Sequence, residues 1–234
     1  MKNKISKNHH FIPEFYIKGF SDENEDIYLY DVEYKKIGKS AKKAPQIFYK
    51  EHLHTVISFG DKSVFIEDSY SELEGHFSKV IRGLKKLPTE ALSEIAKFDL
   101  FSKIIILMMS VQYWRNPANI KHAEEMSNSL VDLYDKALLT NFKFNEEQLK
   151  GLKIIKLNET QEFICSDNPV MIDSFGADFS FQGDVFYPLT KELAITNINI
   201  NINNLLDIDK MIVSRASKKI IASSKERLMD LPRV

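Results

Sequence analysis

One cysteine, Cys165, among 234 residues excludes an intrachain disulfide and any cysteine-rich zinc site. Glycine is scarce at 8, and no glycine-rich phosphate loop, dinucleotide fingerprint, nucleophile elbow or His-Glu-x-x-His run occurs. No nucleotide-cofactor motif and no internal repeat is present either. The net charge of −1 supplies no bulk field to draw the chain onto nucleic acid or an anionic membrane, which leaves only local basic patches for that purpose. Long apolar runs are missing too. The most apolar stretch, Ile104 to Trp114, is 11 residues, against the roughly 20 needed to span a bilayer. Lysines rather than an apolar segment precede the first histidines, which predicts no signal peptide. With the lone cysteine this points to the reducing cytoplasm and to no membrane partner.

What the chain does carry is apolar bulk. Hydrophobic residues make up 44% and phenylalanine alone numbers 16, enough for a large core on few flexible hinges. The opening stretch, Lys7 to Phe20, sets His9 and His10 before a Phe-x-Pro turn and an apolar-aromatic run (Phe15, Tyr16, Ile17, Phe20). Termini are usually polar and frayed, so this one is predicted to pack, and to bring an imidazole with it. An extended pair points to opposite faces, so only one of the two histidines turns inward.

Residues 27–31 and 35–39 read as a hairpin and 44–49 as a short helix or turn. Residues 52–57 alternate as a half-buried strand that would set His52 and His54 on one face; such a pair can chelate a metal, although exposed strand histidines of no special role are commoner. Residues 66–86 are the clearest helix, with Ile66, Tyr70, Leu73, Phe77, Val80 and Leu84 at helical spacing. Beside that stripe run Glu67, Ser71, Glu74 and Ser78. Carboxylates at the edge of a core must be solvated, paired or metal-bound. Residues 90–116 read as one long central helix ending at Asn116-Pro117, with helical pattern resuming to about Leu139 and a further turn at Glu146–Lys150. Arg115 follows the most apolar stretch and requires an anionic partner, either a structural carboxylate or a substrate phosphate or carboxylate. If the helix survives the proline, Gln112, Arg115, Asn119 and His122 share a face.

Residues 152–157 and 162–165 alternate as a strand hairpin, and Ser166-Asp167-Asn168-Pro169 forms a rigid turn at a strand end. Residues 186–189 and 193–196 make another strand pair. Residues 199–217 run into a terminal helix whose basic cluster, Arg215, Lys218 and Lys219, reads as a solvated face. The prediction is an α+β fold, with central long apolar helices packed against short antiparallel sheet elements. It forms one domain over 1–234, comprising a strand region 1–65, a helical core 66–140 and an α+β part 141–234.

The ordered set His9 to Phe20, Ile27 to Asp31, Ile66-Glu67 through Leu73-Glu74, Gln112-x-x-Arg-Asn-Pro117, Phe163 to Val170 and Tyr187-Pro-Leu189 resembles the largely bacterial domain-of-unknown-function family 4238. The resemblance implies that His10, Pro13, Glu67 or Glu74, Arg115, Ser166, Asp167, Asn168 and Pro169 are signature positions. It favours His10 as the inward histidine, and it leaves the His52–His54 loop outside the signature.

These residues point to a hydrolase, most specifically a metal-dependent nuclease or phosphodiesterase acting on nucleic acid or another phosphate-containing substrate. His10 serves as base or ligand, Glu74 and Asp167 hold a divalent Mg or Mn ion, and Arg115 offsets phosphate charge. Asn168 orients the substrate, which Ser166 and Gln112 also contact. Two other readings use the same residues. One is a non-catalytic binding module built on Arg115 and the Ser166–Pro169 turn; the other is a satisfied buried network.

Overall fold

The computed structural model describes residues 7–58, 61–119, 151–175 and 181–232. The helical pattern expected from Ile120 to Leu139, His122 with it, and the turn at Glu146–Lys150 lie outside the described residues.

The chain opens with strand β1 (Asn8–His10), helix α1 (Glu14–Ile17) and a 3₁₀ turn (Lys18–Phe20). Tyr16, Ile17 and Phe20 are buried, so the N-terminus packs as its aromatic content predicts. Strands β2 (Tyr28–Asp31) and β3 (Lys36–Ile37) form the expected hairpin. A 3₁₀ turn (Ala44–Gln46) leads into β4 (Tyr49–Glu51), which pairs antiparallel with β1, His9 opposite Lys50 and His10 opposite Tyr49. The expected strand through His52 and His54 does not form. His52 adopts φ +54° in a turn closed by Thr55 N–H to His52 O, and strand structure begins only with β5 (Val56–Ser58), paired with β6 (Asp61–Ser63).

Helix α2 (Phe65–Lys85) follows its apolar stripe and buries Ile66, Tyr70, Phe77, Ile81 and Leu84. The single helix expected over 90–116 is two, α3 (Thr89–Ile95) and α4 (Asp99–Trp114). The N–H groups of Lys97 and Phe98 bond tightly back to Glu94 and Ile95, and Asp99 opens α4, an acid at the positive end of a helix dipole. Helix α4 is buried over most of its length.

The remaining strands make two four-stranded sheets. In one, β7 (Lys153–Lys156), β11 (Leu193–Thr196), β10 (Phe181–Pro188) and β9 (Met171–Phe175) lie in that order. In the other the order is β3, β2, β12 (Lys219–Ala222) and β8 (Cys165–Ser166). The hairpin expected between 152–157 and 162–165 is therefore absent, because β7 pairs with β11 and β8 with β12. Alternation marks a strand but not its partner. Helix α5 (Leu206–Arg215) forms as expected but is followed by β12 and α6 (Lys225–Met229). Lys219, read as part of a solvated basic face, is instead a central-strand residue whose amine pairs with Asp31.

The architecture is α+β. One continuous buried cluster runs from Ile12 to Leu228, with contributions from α1, α2, α4 and both four-stranded sheets. Among the described residues no helix is long and apolar enough to cross a membrane.

Asp167 ties the end of β8 to the connection between α5 and β12. Its carboxylate accepts N–H from Ser217 and Lys218 at 2.8 Å each and from Lys219 at 3.2 Å. Burial lifts its pKa above the ordinary carboxylate value, against the pull of those three donors. Asp167→Asn turns one acceptor into a donor that faces another N–H. We expect it to cost about 1–3 kcal/mol in urea unfolding, with far-UV circular dichroism unchanged at low denaturant.

Candidate metal centre

Two short pieces of backbone bring imidazoles together at the start of α2. Strand β1 alternates faces, so His9 is wholly buried while His10 lies on the other side, half-buried. After β4 the turn at His52–Thr55 carries the chain back over β1, and the His54 N–H donates to His9 Nδ1 at 3.0 Å. A backbone N–H can only donate, so Nδ1 of His9 is unprotonated and its lone pair faces inward. The two rings stack with centroids 5.7 Å apart.

Glu67, in the first turn of α2, completes the group. Its Oε2 is 2.7 Å from His54 Nδ1 and 3.8 Å from His9 Nδ1. The donor atoms of His9, His54 and Glu67 all lie within 4.8 Å of one another. His9 and His54 are buried, whereas the Glu67 side chain keeps 21% of its surface, and His52 sits 6.3 Å from His9, ring to ring, half-buried. The cluster therefore reaches solvent through Glu67.

The electrostatics of His54 and Glu67 favour their metal-binding protonation states. Burial pushes the His54 pKa below the ordinary imidazole value, and the nearby charges of Arg115 and His9 push the same way against the Glu67 hydrogen bond. Burial works to raise the Glu67 carboxyl, but the His54 bond and the charges of His54, His9 and Arg115 hold it below its ordinary value. A neutral imidazole beside an ionised carboxylate is what metal ligation requires.

Arg115 closes the back of the cluster. At the end of α4 its Nη1 bonds Glu74 Oε1 at 2.6 Å, its Nη2 the His10 carbonyl at 2.9 Å and its Nε the Phe11 carbonyl at 3.0 Å. The guanidinium lies over the Tyr70 ring, 5.1 Å from its centroid, and His54 meets the same ring edge-on. One helical stripe thus divides its two carboxylates, Glu67 to the histidines and Glu74 to the arginine.

The residues expected to form the site are brought partly together, in other roles. Arg115 and Glu74 pair with each other, so Arg115 spends its fork on structure and Glu74 is an ion-pair partner rather than a metal ligand. His10 meets Arg115 through its backbone carbonyl, while its ring packs against Tyr49 and stands 3.6 Å from the Glu14 carboxylate. Asp167, expected as a ligand, is engaged by three backbone N–H groups, because a buried carboxylate takes the nearest donors. It joins the network only through its carbonyl, which accepts from Asn116 Nδ2 at 2.7 Å. Ser166 Oγ bonds the Asn168 carbonyl at 3.0 Å inside its own turn, and the Asn168 side chain accepts from Asn119 Nδ2 at 3.3 Å. Gln112 is buried and accepts from the Tyr187 hydroxyl at 2.6 Å.

The resemblance passed over His9 in favour of His10; Tyr70 and Asn116 were given no role, and the joining of His54 to Glu67 was not expected. The doubled histidine and the Glu67–Glu74 stripe were signals for them; the turn that folds His54 onto His9 left none.

A family model described as protein of unknown function (DUF4238) matches residues 8–152. The chain belongs to that family. No curated protein and no solved structure matches it. The DUF4238 match spans His9, His54, Glu67, Glu74 and Arg115 and ends before the Ser166–Pro169 turn.

Breaking a buried ion pair from one side leaves a bare charge, which costs about 3–5 kcal/mol. Arg115→Ala, which strips Glu74 and two carbonyls at once, is expected to fall in that range by chemical denaturation. Arg115→Lys should recover only part of it, since an ammonium cannot reproduce the fork.

Proposed function

We propose that this protein is a cytoplasmic metal-dependent hydrolase of phosphate esters, with a nuclease or phosphodiesterase activity on nucleic acid as its specific form. The observation that carries the reading is the convergence of two imidazoles and one carboxylate at the mouth of a buried cationic niche. A divalent ion held there would lower the pKa of a bound water to about 7 and polarise a phosphoryl oxygen. The chain's own residues do the rest. His9, His54 and Glu67 hold the ion, and the partly exposed side of Glu67 is where substrate approaches. Arg115 acts as a positioning residue. It fixes β1, and so His9, against α2, and its buried charge favours the anionic ligand. His10, Asn168, Ser166 and Gln112 are assigned no chemical step.

A second reading is favoured by the burial of His9 and His54. In it the ion is a structural staple that closes the N-terminal strand and no reaction follows.

The test is cleavage of single- and double-stranded DNA, RNA and a chromogenic phosphodiester by metal-free protein, with and without a panel of divalent ions. Metal-dependent cleavage that falls by at least about a hundredfold in Glu67→Gln is the expected result. Cleavage that is absent with every ion, or equal in Glu67→Gln, overturns the hydrolase.

A further inference from the structure

We infer that the His9–His54–Glu67 cluster is a site for one nitrogen-preferring first-row ion of the Zn²⁺ type, rather than for Mg²⁺. This deepens the reading above and rests on it for the site's use, not for its existence.

The donor set decides the ion class. Mg²⁺ prefers six oxygens, keeps most of its water and is usually held by one or two carboxylates together with substrate phosphates. The cluster offers one carboxylate and two imidazoles, both imidazoles buried. Imidazole suits zinc and the later first-row ions, and three protein ligands with one open position is the catalytic zinc arrangement.

The distances show what the ligands must do to hold an ion, all three donor atoms lying within 4.8 Å of one another. Two ligands each about 2.0–2.1 Å from a tetrahedral ion stand about 3.3–3.4 Å apart. Glu67 Oε2 is 2.7 Å from one histidine nitrogen and 3.8 Å from the other. A shift of that oxygen by roughly half an ångström, from His54 toward His9, makes both separations suitable. It is an easy move for a carboxylate at the first turn of a helix with its outer side in solvent. On the His9 side the lone pair already points inward, accepting from the His54 N–H. An ion displaces that bond together with the His54 Nδ1–Glu67 hydrogen bond.

Arg115 is paired with Glu74 at 2.6 Å, which weakens its repulsion of a cation.

The experiment uses the full chain stripped of metal. Zn²⁺ and Co²⁺ are titrated by competition with a chromophoric chelator, and Mg²⁺ by calorimetry. Wild type is expected to bind one Zn²⁺ or Co²⁺, the Co²⁺ form showing visible bands of four- or five-coordinate intensity. Glu67→Gln, on a partly exposed side chain, should weaken Zn²⁺ binding by at least about tenfold while leaving the metal-free circular dichroism spectrum unchanged. Should that variant fail to fold, the long-range ¹H–¹⁵N spectrum of wild type decides, since Zn²⁺ must shift the ring nitrogens of both His9 and His54. No stoichiometric Zn²⁺ or Co²⁺ binding overturns the inference. So does binding undiminished in Glu67→Gln, unmoved His9 and His54 resonances, or a preference for Mg²⁺. Zn²⁺ binding as expected without phosphodiester cleavage leaves the site standing and overturns the hydrolase reading instead.

Discussion

A guanidinium buried at the end of an apolar helix is the constraint on which this structure depends. Arg115 is delivered into the core by α4, and its charge cannot remain there unpaired. Glu74 supplies the counter-charge from α2, and the carbonyls of His10 and Phe11 take two more donors from the fork. Three segments distant in sequence are thereby tied to one side chain or its neighbour, since Asn116 bonds the Asp167 carbonyl beside the second sheet. The Arg-Asn-Pro sequence works as a junction. Its arginine looks toward the N-terminal strand, its asparagine toward the C-terminal sheet, and its proline ends the helix between them.

The junction makes the histidine cluster possible. Strand β1 is three residues long and pairs only with β4, too little ladder to hold an imidazole steady by itself. With two of its carbonyl region's acceptors taken by Arg115, His9 is held against α2 and the turn at His52–Thr55 can lay His54 over it. Tyr70 fills the space between His54 and the arginine and keeps the cation off the imidazoles while leaving it close enough to favour the Glu67 anion. The site and its scaffold thus use two carboxylates from one helical stripe, two turns apart.

Much of the fold was legible because periodicity reports burial. The apolar stripe of α2, the buried run of α4, the β2–β3 hairpin and the β10–β11 pair all stood out by pattern. Where the reading went astray, the missing information was pairing. Residues 153–156 and 165–166 were both recognisable strands, yet each joins a sheet whose other members come from far along the chain. Strand β12 went unseen because Lys219 and its basic neighbours suggested a surface. The doubled histidine also carried an ambiguity that alternation alone cannot resolve, and the resemblance favoured the outward partner. For the candidate site, the residue types were on view and their partners were not. Arg115 needed an anion, and Glu67 and Glu74 needed cations or metal, but which met which depended on the angle between α2 and α4.

By itself the sequence determined the class of fold, the two amphipathic and buried helices, the packed N-terminus and the need of Arg115 for a counter-charge. These follow from local hydrophobic period and from the cost of burying charge, both of which act over a few residues. Only the tertiary structure decided that Asp167 serves backbone amides, that Glu74 serves Arg115, and that His9, His54 and Glu67 converge. Those outcomes turn on contacts across 13 to 52 positions of chain, where chain reversal and packing, rather than residue type, choose the partner.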